Sequence, residues 1–66
     1  MKVSRLRPGE RFRAFYDDAI WVVCDETCVV PEVHRGGGVS AHICRVASCN
    51  GMRRAFRLSD YVRGVP

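Results

Sequence analysis

Long apolar runs are missing from this sequence: no stretch approaches the eighteen or so uninterrupted apolar residues of a membrane-spanning helix, so none is expected. Met1 to Pro8 has no apolar core of the kind a secretory leader needs, and the chain is expected in the cytoplasm, with no membrane partner. No phosphate-cradling glycine loop, dinucleotide fingerprint or paired-carboxylate motif occurs. The 66 residues leave no room for a separate catalytic domain. A fold this small rarely encloses a substrate pocket, so one non-enzymatic domain spanning residues 1–66 is expected, with no cofactor. Lysine is almost absent. Of the 11 basic residues only Lys2 is not arginine, and against 7 acidic residues they leave a net charge of +4. Arginine presents a planar fork that fits phosphates and carboxylates, which makes an anionic partner plausible.

What is present is a chain apolar enough to fold. Hydrophobic residues make up 47% of it, too much for a disordered tail. Its clearest local signal lies between Val39 and Val62, where two alternating runs flank Asn50-Gly51. A two-residue type I′ turn needs positive φ at both central positions, which Asn and Gly tolerate, so a β-hairpin is predicted. With Asn50 and Gly51 in the turn, Cys49 faces Met52, Ala47 faces Arg54, Arg45 faces Phe56 and Ile43 faces Leu58 on one side of the ribbon. Ser48 opposite Arg53, Val46 opposite Ala55 and Cys44 opposite Arg57 occupy the other, with His42 beyond. The first side is read as core and the second as a basic surface.

Upstream, Pro8-Gly9 marks a type II entry turn, and Arg11 to Tyr16 alternates before an Asp17-Asp18 turn into Ala19 to Cys24. Phe12, Ala14, Tyr16, Trp21 and Val23 then share one apolar face, while Phe15, Ile20 and Val22 lie on the opposite one. Asp25-Glu26-Thr27 predicts a bend or bulge rather than one long strand, and Pro31 to Gly38 reads as a mobile, glycine-rich loop. Ser59 is placed to cap one helical turn through Val62. The fold expected is mainly β: a small antiparallel barrel of four or five strands, of the SH3-like, Sm-like or OB-like kind, with Phe12, Trp21, Val23, Ile43, Phe56 and Leu58 in one core.

Cys24, Cys28, Cys44 and Cys49, with His34 and His42 between the pairs, have the donor types of a zinc site but not its spacing. Along one strand Cys44 and Cys49 would sit roughly 16 Å apart on opposite faces. Free thiols without metal are expected. A Cys–His nucleophilic pair would require a spatial adjacency that the sequence does not establish.

The candidate binding residues are Arg53 and Arg57 on one hairpin face with His42, Arg54 and Arg45 near the turn, and Arg35 beside the glycines. Basic strands bind nucleic acid by meeting phosphates, and exposed rings add stacking. Arg35-Gly36-Gly37 matches one RGG unit, a pattern that also serves as a plain connector. The competing class is a phage- or mobile-element-type accessory protein that inhibits or regulates a larger complex by binding its acidic surface. A third reading is a structural subunit that forms a homo-oligomer through strand edges, and a fourth treats the arginines as a solvated face that blocks such pairing.

Overall fold

The computed structural model describes residues 1–65 and contains no α-helix among them. A 3-10 turn at Val3–Arg5 precedes five strands: β1 (Arg11–Arg13), β2 (Ile20–Val33), β3 (Val39–Cys49), β4 (Met52–Arg57) and β5 (Arg63–Gly64). They form one antiparallel sheet in the order β4-β3-β2-β1-β5. β4 and β5 are its two edges, so the sheet is not closed into the expected barrel.

The β3–β4 hairpin has the predicted register, from Cys49 opposite Met52 to Cys44 opposite Arg57. Asn50 at φ 50 and Gly51 at φ 83 supply the two left-handed positions that fix it. At the entry turn Gly9 sits at φ 87; its N–H donates to Val23 O at 2.8 Å, and Val23 N–H donates to Glu10 O at 2.9 Å, extending the β1–β2 pairing past Arg11.

Asp25-Glu26-Thr27 does disturb the ladder. Pairing jumps from Val23 opposite Ala47 to Thr27 opposite Arg45, so three residues of β2 lie across from Val46 alone. The strand nevertheless continues to Val33, which corrects the expected loop. Pro31, Glu32 and Val33 pair with Ala41, Ser40 and Val39, and the connection shrinks to residues 34–38. The result is a two-stranded arm projecting from the folded body, which stretches the molecule to 42 × 22 × 21 Å.

The core lies on one face of the body. Phe56 sits at its centre, edge-on to Phe12 (centroids 5.0 Å apart) and to Trp21 (5.3 Å). Val23 and Ala47 extend this floor, and Val3, Leu6 and Val62 close it from above. The closing segments are tied by main-chain bonds: Val3 N–H donates to Asp60 O at 2.9 Å, Ser4 N–H to Leu58 O at 3.0 Å, and Val62 N–H to Met1 O at 2.8 Å. Those bonds take the place of the predicted helical turn. Asp60 instead closes a tight turn, donating to Arg57 O while its carboxylate accepts from Arg57 N–H. Among the described residues the one helical turn stands near the other terminus, at Val3–Arg5.

Four burial assignments change. Ile43 is 59% exposed: the Met1–Leu6 segment reaches only Arg45, and Leu58 meets Ile43 through a main-chain bond to Ile43 O at 3.3 Å. Tyr16 is 63% exposed, having left β1 in the loop after Arg13. Cys44 and Val46, expected on the basic surface, are 2% and 7% exposed.

Candidate anion-binding sheet face

The face opposite the core has no second layer over it. Registers across four strands align Arg11, Val22, Ser48 and Arg53 in one row, and residues directly opposite one another point the same way. Adjacent strands lie about 4.8 Å apart, so the two arginines of this row stand roughly 14 Å from each other, with small neutral side chains between them. Arg57, two rows further along, shares its row with Cys44 and Cys28. Arg13, opposite Ile20, brings a half-buried arginine to the same face.

Two ion pairs cross this face. Arg53 on β4 meets Glu26 on β2 at 2.6 Å, and Arg57 meets Glu32 at 3.7 Å. Since β3 runs between β4 and β2, each pair arches over β3, and together they roof Cys44 and Val46. This accounts for the burial of two residues that no other layer covers. Burial raises the Cys44 thiol above its usual range, and the Cys28 thiol opposite adds to the effect. Thiolate activation requires the opposite shift, so Cys44 is not prepared as a nucleophile. Its Sγ–H points to His42 O at 3.6 Å.

Glu32 anchors the arm end of the face. Its carboxylate receives His42 Nε2, and Arg57 lies nearby. The His42 hydrogen bond, assisted by the Arg57 charge, holds Glu32 below the ordinary carboxylate value of 4.5. A depressed folded value means that this contribution to stability is present above 4.5 and is lost as pH falls through the lower folded value. A carboxylate titration followed by NMR should therefore give Glu32 a midpoint below 4.5, and His42→Leu should move it back up. An unchanged midpoint in the variant would show that His42 does not hold the carboxylate. Glu26 acts in the same way on its partner, raising the Arg53 guanidinium further through their hydrogen bond.

The sequence-predicted residues divide between the two faces. Arg53, Arg57 and His42 share the open face. Arg45 and Arg54 point to the core side: Arg45 donates to Leu6 O and fastens the closing segment, and Arg54 stacks 5.1 Å from the Tyr16 ring centroid. Arg35 sits in the loop at the arm tip, away from the others. Arg11 and Arg13 were missed as site residues. The signal for them was the alternation Arg11-Phe12-Arg13: once Phe12 is core, both arginines must face outward. Arg63 looks available in sequence but donates to Ala14 O at 2.9 Å and Asp17 O at 2.8 Å, bracing the β1–β2 loop.

A cleft of about 490 Å³ opens at the turn end, lined by Trp21, Cys49, Asp17 and Arg54 among others. Neither histidine lines it, so it holds no Cys–His pair. Among the described residues no three His, Cys, Asp or Glu side chains are grouped to hold a metal ion. Among the described residues no helix is long and apolar enough to cross a membrane.

No protein family, curated sequence or solved structure matches this chain.

Proposed function

We propose that the chain is a non-enzymatic binding module that holds nucleic acid against its open sheet face, with Arg11, Arg53 and Arg57 meeting phosphates and Arg13 and His42 at the margins. The observation that carries this reading is the row Arg11–Val22–Ser48–Arg53: arginines flank a strip of small neutral side chains on a sheet face crossed only by two surface ion pairs among the described residues. A backbone can lie along such a strip while guanidinium groups reach it from both sides. The ion pairs with Glu26 and Glu32 do not prevent this. Both are solvent-exposed and screened, so a phosphate can take the place of either carboxylate without breaking the fold.

A second reading is favoured by a specific observation. The exposed rings Phe15 and Tyr16 lie in the β1–β2 loop, where Arg63 and Arg54 pack against them, and no exposed aromatic side chain stands on the arginine row. Arg53 and Arg57 already accept carboxylates as partners. An acidic protein surface suits such a face, as for a phage- or mobile-element-type accessory protein that inhibits or regulates a larger complex. Binding of mixed-sequence duplex and single-stranded oligonucleotides across a salt series separates the two. The nucleic-acid reading expects affinity to fall log-linearly with salt, with a slope of about −0.9 per phosphate neutralised on duplex. Absence of binding at low salt rejects it and leaves the acidic protein surface.

A further inference from the structure

The core face of the sheet does not end where the core ends. Beyond Arg45 it continues along the arm as three cross-strand rows, Val29 with Ile43, Pro31 with Ala41 and Val33 with Val39, every member apolar and exposed. Val29, Ile43, Val33 and Val39 are 64%, 59%, 75% and 66% exposed, and among the described residues no second layer packs over them. A two-stranded ribbon is marginal in water unless one of its faces is covered.

We propose that a second copy of this chain covers it, the two arms stacking face to face about a two-fold axis through the Pro31–Ala41 row. The rows are matched for this arrangement. With the arms antiparallel, Val29 and Ile43 of one copy lie over Val33 and Val39 of the other, Pro31 and Ala41 lie over themselves, and the sheets sit about 10 Å apart, as packed sheets do. At roughly 100 Å² for each of the four larger side chains, with Pro31 and Ala41 adding to them, each copy contributes about 500 Å². With the whole stripe covered the total is about 1,000 Å², the lower bound for a biological interface and short of the roughly 1,200–2,000 Å² of stable ones, so the dimer is a weak, reversible one. The stripe itself carries no charge; the nearest basic residues, Arg45 and Arg35, lie beyond its two ends.

Edge pairing along β4, another route to a homo-oligomer, is opposed by the sequence of that strand. β4 presents Arg53, Arg54 and Arg57 along six residues, the kind of charged edge that blocks strand addition. The dimer does not depend on what the opposite face binds.

Sedimentation equilibrium of the full chain, from low micromolar to near-millimolar concentration, tests the proposal. The expected result is a reversible shift from 7.5 kDa to twice that mass, maintained or strengthened by added salt. Ile43→Lys should keep the wild-type far-UV spectrum and thermal transition while weakening association at least tenfold. Val33→Lys, further out on the arm, should do the same and serves as the test if Ile43→Lys fails to fold. Wild type that stays at 7.5 kDa throughout overturns the proposal and leaves the stripe to a different protein. A dimer that survives in either folded variant overturns it as well, by placing the contact elsewhere.

Discussion

Phe56→Ala should leave the chain largely unfolded. Phe56 is 5% exposed and touches both Phe12 and Trp21 edge-on, so its truncation opens a cavity beneath the closing segments. Phe→Ala in a packed core costs about 3–5 kcal/mol. A domain of 66 residues at roughly 0.05–0.15 kcal/mol per residue has about 3–10 kcal/mol in all. Trp21, within 5.3 Å of the lost ring, reports the change directly through its fluorescence. The contrasting variant is Ile43→Ala, which at low protein concentration should shift stability by no more than about 0.5 kcal/mol, because Ile43 lies outside the monomer core. Equal effects of the two substitutions would mean that the core runs further along the arm than the closing segments reach.

That pair of variants marks the limit of what was legible in the residues. The hairpin register followed from Asn50-Gly51 alone, since turn chemistry at two positions fixes every pair behind it. The mistake at Ile43 has a physical origin. Periodicity assigns a residue to a face of the sheet, but whether that face is covered depends on where the non-adjacent segments Met1–Leu6 and Leu58–Val62 come to lie. The burial of Cys44 and Val46 was hidden for a related reason. It depends on Arg53 and Arg57 reaching across β3 to Glu26 and Glu32, and that contact joins strands distant in sequence. The three glycines at 36–38 extend the expected loop back to Pro31, although only residues 34–38 form it. Pro31 fits on β2 because that part of the strand pairs on one side only, leaving its nitrogen at a free edge.

The second large effect is expected from reversing charge on the open face. Arg53→Glu with Arg57→Glu should lower oligonucleotide affinity by at least a hundredfold. Two charge-assisted contacts are lost, and repulsion replaces attraction. On duplex the salt slope should become shallower by about 1.8. The substitutions also place like charges beside Glu26 and Glu32, so folding must be measured alongside binding. Arg53→Gln with Arg57→Gln removes the contacts without adding that repulsion and should show the same change in slope. Binding that is unchanged in a folded variant of either kind would reject β4 as part of the site. In both variants the roof over Cys44 is gone, and its thiol should react faster with a disulfide reagent than in wild type.

The central claim is that the face opposite the core receives the partner, and the most direct measurement is a backbone-amide NMR titration of the wild-type chain with a short duplex at low salt. The account predicts that the largest shifts trace the row Arg11, Val22, Ser48 and Arg53 and continue to Arg57, with the arm stripe at Val29, Ile43 and Val33 unaffected. Shifts concentrated on the arm stripe or around Arg35, with the arginine row silent, would contradict it.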